Sequence, residues 1–212
     1  MAIEHLIFPS GNLATNTGLF WCTRTREGIL VDPGGEPDEI LDIALRQGVC
    51  IRTIVLTHAH IDNLAAAPFL REETSCGIAV HRADWNLWEA IEEQCKELGM
   101  PVPELPEIDE EISEGTPIQF GRERADVLHL PGHSPGHCGI AFPDLEICLV
   151  GDACFAGAAG RTDLWNGNEA DQEHSLDRIS KLPPSWTLLP GHGPTFAPGA
   201  VARARHQRST NI

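Results

Sequence analysis

Tyrosine is absent from this 212-residue chain, methionine occurs twice, and Lys and Arg together number 15 against 31 Asp and Glu. The shortage of positive charge leaves a formal net charge of −16. Such a surface repels phosphate backbones and anionic lipid, so neither nucleic acid nor a membrane is an expected partner. No apolar run approaches membrane-spanning length. The first residues, Met1-Ala2-Ile3-Glu4-His5, lack a basic segment and an apolar core, so no secretory signal is expected. Cys22, Cys50, Cys76, Cys95, Cys138, Cys148 and Cys154 are odd in number and never form Cys-x-x-Cys. That pattern argues against a disulfide framework and for reduced, mostly buried thiols in a cytoplasm. Repeats and low-complexity segments are also missing.

What is present is enough apolar material for a core: 42% of residues are hydrophobic. The length fits one domain over residues 1–212. Ile3–Phe8, Leu19–Thr23 and Gly28–Val31 have the composition of short strands. A turn at Asp32-Pro33-Gly34-Gly35 precedes a helix from about Pro37 to Gly48, with Ile40, Ala44, Leu41 and Leu45 as its buried face. Thr53–Thr57 is a compact strand, and 63–73 looks helical despite Pro68. Another strand covers Ile78–His81. Trp85, Trp88, Ile91, Cys95 and Leu98 recur at helical spacing, which predicts a core-packed helix over 83–98. Residues 99–117 hold four prolines and many acids and are expected to form an exposed loop. Strands follow at Ala125–Leu130, Cys138–Phe142, Glu146–Val150 and Trp186–Leu189, with a helix over Ala170–Lys181. The alternation of strands and helices suggests sheets covered by helices.

The placement of the ten histidines matters more than their number. His58, His60, Asp62, His133, Asp152 and His192 all lie just past a predicted strand. Strand ends on one sheet edge are close in space, and imidazole and carboxylate donors suit zinc, iron or manganese. In Thr57-His58-Ala59-His60-Ile61-Asp62-Asn63, an extended His-x-His sends both rings to one side. Asp62 continues that alternation and reaches a second ion or a water. Four further motifs accompany it: Leu130-Pro131-Gly132-His133-Ser134-Pro135-Gly136-His137, Val150-Gly151-Asp152, Gly160-Arg161-Thr162-Asp163-Leu164 and Pro190-Gly191-His192-Gly193-Pro194.

These ordered motifs resemble the metallo-β-lactamase superfamily, and within it the small glyoxalase II-like hydrolases and the related persulfide dioxygenases. The resemblance runs from Asp32-Pro33-Gly34 to Arg208-Ser209-Thr210-Asn211. It implies an α/β fold, an αββα sandwich with a metal site at one edge between two sheets. It also implies that His58, His60 and His133 bind a first ion, that Asp152 bridges to a second, and that Asp62 and His192 bind the second. Zinc is the expected ion; iron or manganese would also suit these donors. Three neutral imidazoles, one carboxylate and a 2+ ion leave a positive centre, able to lower the pKa of water to about 7.

One position departs from the family's His-x-His-x-Asp-His pattern. Asn63 stands where the last histidine belongs. Losing that imidazole should weaken the second site by at least roughly the 10–100-fold known for outer-shell changes. Asn63 is then a weak ligand, a water partner, or the mark of a one-ion site. Arg161 and Asp163 are read as support for the ligand loop or as a structural ion pair. His137 is expected in a turn or in a hydrogen bond behind the ligands, and His129 as a satisfied buried histidine. His5, His81, His174 and His206 are expected at the surface or in caps, and Cys154 in packing.

The resemblance implies a hydrolase of a small thioester, with hydroxide generated on the ion and Asp62 orienting the water. The alternatives are a mononuclear iron persulfide dioxygenase using His58, His133 and Asp152, or a non-catalytic metal-binding relative. Glyoxalase II enzymes use tyrosines and a C-terminal helical region to hold glutathione. This sequence has no tyrosine and ends soon after its last histidine motif, so glutathione recognition is not implied. The oligomeric state is not set by these features.

Overall fold

Residues 2–201 are described by a computed structural model; His206 and the Arg208–Asn211 segment lie outside them. Strands β1 (Ile3–Ser10), β2 (Thr15–Cys22), β3 (Glu27–Val31), β4 (Cys50–Val55), β5 (Gly77–His81) and β6 (Glu110–Ile112) form one sheet in that order. The β1–β2 and β2–β3 pairs are antiparallel, and β3 through β6 are parallel. Parallel neighbours need crossovers, and helices supply them. Helix α1 (Pro37–Gln47) joins β3 to β4; α2 (Ile61–Leu64) and α3 (Ala67–Thr74) join β4 to β5; α4 (Trp85–Glu89) and α5 (Ile91–Leu98) precede β6.

A second sheet has the order β13-β10-β9-β8-β7. Its strands are β7 (Ile118–Phe120), β8 (Glu123–His129), β9 (Cys138–Phe142), β10 (Ile147–Gly151) and β13 (Thr187–Pro190). Between the last two come a small hairpin, β11 (Cys154–Phe155) with β12 (Ala158–Ala159), and α6 (Glu169–Ser180).

Side-chain alternation divides the interior into three layers. Phe20, Ile29, Val31 and Val55 face Ile140, Phe142 and Leu149 of the other sheet. Leu19, Leu30 and Ile54, at alternate positions, pack outward on Ile40, Leu70 and Cys95 of the helices. Ala141, Cys148 and Val150 pack on Leu176 and Ile179 of α6. The result is an αββα sandwich, as the motifs implied. Phe20 and Phe142 stack across the middle with centroids 3.8 Å apart.

Strand direction places the site. Strand β8 is antiparallel to β9, and β9 to β10, while β10 and β13 are parallel. Hence β8, β10 and β13 all end on one edge, and His133, Asp152 and His192 follow them.

Several boundaries depart from the sequence reading. Residues 63–73 are not one helix: α2 stops at Leu64, and Pro68 opens α3 in its first turn, where no N–H partner is needed. Leu45 is 77% exposed, because α1 is buried through Ile40 and Ala44 and Leu45 lies a further 100° round the helix. The expected helix over 83–98 is interrupted at Ala90. Trp88, Ile91 and Cys95 are buried, but Trp85 and Leu98 are exposed. The expected loop after Gly99 contains β6, a three-residue strand too acidic to be recognised, added to the sheet edge beside β5. Six of the seven cysteines are buried, and Cys50 is exposed.

Truncation at the two kinds of apolar site should therefore differ. Phe20→Ala is expected to cost about 3–5 kcal/mol, and Leu45→Ala less than about 0.5 kcal/mol. Urea unfolding of both variants at matched metal content measures the two costs.

Candidate metal centre

The histidine segment begins where β4 is tied to the turn after β3. The Thr57 N–H donates to Asp32 Oδ1 at 2.8 Å and the Thr57 hydroxyl to Oδ2 at 2.7 Å. Burial of the Asp32 carboxyl raises it to about 7, against the pull of both Thr57 bonds. Thr57 Oγ1 is also 3.0 Å from His58 Nδ1. Since the hydroxyl proton goes to Asp32, Nδ1 of His58 donates and Nε2 keeps its lone pair. His133 is oriented in the same manner: its Nδ1 donates to the Arg161 carbonyl at 2.9 Å.

Three rings then converge. His58, His60 and His133 have centroids 4.7 to 4.9 Å apart and lie nearly perpendicular to one another. One ring nitrogen from each falls within 4.8 Å of the others. Burial, first, and the neighbouring imidazoles, second, hold His58 well below the ordinary histidine range, and they lower His60 as well. His58 and His60 are therefore neutral donors.

Asp152 stands beside this cluster. Its Oδ2 is 3.9 Å from His133 Nε2 and 3.8 Å from His192 Nε2, and its buried Oδ1 has no partner among the described residues. A Cβ at Gly191 would run into that Oδ1, so a side chain there would displace the Asp152 carboxylate. His192 donates from Nε2 to Asp62 Oδ2 at 3.1 Å and from Nδ1 to the Leu13 carbonyl at 3.0 Å. The Asp62 bond, the carboxylates and the carbonyl raise His192 to about 9 despite its partial burial. Burial alone would raise Asp62, but His192 brings it below its ordinary value. Burial raises Asp152. Three imidazoles aimed at one point, with an unpartnered carboxylate oxygen alongside, suit a first-row divalent ion.

Asn63, fully buried on α2, places Nδ2 3.2 Å from His58 Nε2, and its Oδ1 has no partner among the described residues. The amide thus sits directly beside the triad. Arg161 and Asp163 form an exposed two-pronged ion pair at 2.8 and 2.9 Å. Arg161 orients His133 through its backbone carbonyl, not its guanidinium. His137 closes the turn after His133 through its backbone N–H to the Ser134 carbonyl, as expected; its buried ring has no hydrogen-bond partner among the described residues and stacks on His58 at 5.1 Å. His129 is half-buried, bonded to the Pro135 carbonyl and stacked on His81. His81 caps the following turn through Ala83 N–H.

Two residues escaped the sequence reading. The buried Asp84 carboxylate accepts from the Ala59 N–H at 3.2 Å, the Ser134 hydroxyl at 2.7 Å and the Gly136 N–H. It joins the loop of His58 and His60 to that of His133. Gln94 of α5 accepts from Ile61 N–H at 3.0 Å and donates to the Ala59 carbonyl at 3.1 Å. The only sequence signal for Asp84 was its place, three residues past the predicted strand at Ile78–His81. Gln94 gave none beyond being a polar residue on a buried helix. Asp84→Ala is expected to lower affinity for the tightest-bound ion roughly 10–100-fold; competition with a chelating dye measures it.

The chain matches the sequence model of the metallo-beta-lactamase superfamily over residues 10–192. It is 28% identical over 195 residues to the hydroxyacylglutathione hydrolase GloC of Haemophilus influenzae, covering 88% of this chain and 89% of that one. It is 31% identical over 189 residues to the probable metallo-hydrolase YqgX of Bacillus subtilis, covering 88% of each. Among solved structures, TTHA1623 in a di-iron-bound form superposes with TM-score 0.83 at 34% identity, covering 94% of this chain and 98% of that one. Matched along most of its length in sequence and in fold, the chain belongs to the metallo-beta-lactamase superfamily.

Proposed function

We propose that this protein is a metal-dependent hydrolase of small thioesters. The observation that carries the reading is a carboxylate, Asp62, fixed by His192 beside the imidazole triad on the wall of one cavity of about 140 Å³. The hydroxyacylglutathione hydrolase named among its relatives supports the reaction class. In this reading His58, His60, His133 and Asp152 hold the first ion, zinc in the first instance, with iron or manganese as alternatives. Asp62, His192 and Asp152 face a second position that Asn63 leaves one imidazole short. An ion held at the first position would supply Lewis acidity and lower the pKa of a water to about 7.

The chain's own groups do the rest. The Asp62 carboxylate orients the attacking water and takes its proton. His192 holds that carboxylate in place from the far side. A carbon–oxygen bond forms at the carbonyl carbon, the carbon–sulfur bond breaks, and the electron pair leaves with the thiolate. The proposed setting is the cytoplasm.

A second reading uses the same first-site donors. One complete donor set beside one incomplete set also suits a mononuclear iron persulfide dioxygenase built on His58, His133 and Asp152.

The expected metal content is one tightly held ion per chain after exhaustive dialysis, by plasma mass spectrometry; a stable ratio near two contradicts it. Asn63→His is expected to tighten the second ion. His133→Ala and Asp152→Ala should lose metal and activity together, while Asp62→Ala keeps most of its first ion and fails in turnover; equal metal loss in all three opposes this division. Thiol release from thioesters by zinc-, manganese- or iron-loaded protein is the expected activity. Oxygen uptake with glutathione persulfide, without thioester cleavage by any form, would establish the dioxygenase instead.

A further inference from the structure

The cavity over the triad has two kinds of wall. Its floor carries the candidate metal donors His60, His133, Asp62 and Asp152. Its outer wall is formed by Leu13, Leu98, Leu164 and Trp165, with Glu97 and Arg161 as the charged groups there. Leu13 and Leu98 are 51% and 53% exposed, so apolar surface is left open at the mouth. Trp165 is held in the left-handed region at φ 46°, as is Asn166 at φ 65°. A non-glycine residue in that region is strained, and such strain gathers where a side chain must be aimed.

The two charges are not equivalent. The Arg161 guanidinium is committed to both carboxylate oxygens of Asp163. Glu97 has no ion-pair or hydrogen-bond partner among the described residues. Its position is fixed all the same. Gln94, Glu97 and Leu98 occupy one face of α5, three and four residues apart, and Gln94 is bonded to the backbone of Ala59 and Ile61. The helix that orders the histidine loop therefore also presents Glu97 to the cavity.

Resting on the hydrolase reading, we infer that the pocket selects thioesters whose leaving thiol is apolar and bears an ammonium group, with Glu97 as the specificity-determining residue. A carboxylate-rich thiol such as glutathione meets an unpaired Glu97 and an arginine already neutralised. An alkylammonium thiol meets a carboxylate, three leucines and an indole, and cations are attracted to indole faces. The net charge of −16 favours the approach of a cation in the same sense.

The test compares three probes on metal-loaded protein by thiol release. Butyrylthiocholine carries the cation, S-(3,3-dimethylbutyl) thiobutyrate is its uncharged isostere, and S-lactoylglutathione carries carboxylates. Expected is kcat/KM in that descending order. Glu97 is exposed, so Glu97→Gln is expected to lower the cationic-to-neutral ratio by roughly three- to five-fold. The same substitution should raise relative turnover of the glutathione ester. A preference for S-lactoylglutathione, or an unchanged ratio in Glu97→Gln, overturns the inference. If no ester releases thiol, the hydrolase reading falls, and calorimetric binding of the same probes decides the pocket's selectivity. Tighter binding of the thiocholine ester, weakened in Glu97→Gln, upholds it; equal binding of the charged and neutral probes, or no binding, overturns it.

Discussion

Burying three imidazole rings edge to face, within 4.9 Å of one another, sets the terms for the rest of this structure. Each ring brings two polar nitrogens into a region that removes water from them. A buried polar group left unpaired costs about 1–3 kcal/mol. Behind two of the rings the chain places directed partners: the Thr57 hydroxyl, itself committed to Asp32, for His58, and the Arg161 carbonyl for His133; His60 Nε2 is left without a partner among the described residues, and its Nδ1 lies 2.9 Å from His133 Nε2. The remaining nitrogens of the three rings converge within 4.8 Å of one another, where an ion would take them as donors. His58 and His60 stay neutral because burial and like neighbours disfavour their charged forms. The cluster is thus a poor arrangement for an apoprotein and a good one for a divalent cation.

Holding the rings in place requires the loops that carry them to be pinned, and those pins come from the segment between β5 and β6. Asp84, just past β5, holds the backbone of Ala59 and the loop after β8. Gln94, from the helix layer, holds Ala59 and Ile61. Beneath them, Phe20 and Phe142 lock the two sheets together. Because β8, β10 and β13 run in one direction, the residues following each reach the same edge without a long excursion. Apolar burial sets the distance between the sheets, and the polar pins set the geometry at their rim.

The site was legible in the sequence to the extent that it lay in short, glycine-flanked motifs after strands. His58, His60, His133, Asp152, Asp62 and His192 do meet at one edge. What the sequence did not disclose were contacts made across the fold. Asp84 and Gln94 act on backbone groups about 25 to 35 positions earlier in the chain, and no local pattern records that. His137 carries the same residue type as the candidate ligands, yet it packs beside His58. Helix phase was the other weak point. Leu45, Trp85 and Leu98 had suitable spacing, but a break at Ala90 and a narrow inward stripe on α1 turned them to solvent. Strand β6 was hidden by its acidic composition, since edge pairing needs backbone groups more than apolar side chains.

The account rests on an ion coordinated by imidazole nitrogens and a carboxylate oxygen. X-ray absorption at the metal edge of the loaded protein reads that donor set directly. The predicted spectrum for zinc is a shell of nitrogen and oxygen scatterers at about 2.0–2.1 Å with imidazole outer-shell features. The fit should require three histidines. A sulfur shell near about 2.3 Å, or a spectrum without imidazole features, would contradict it.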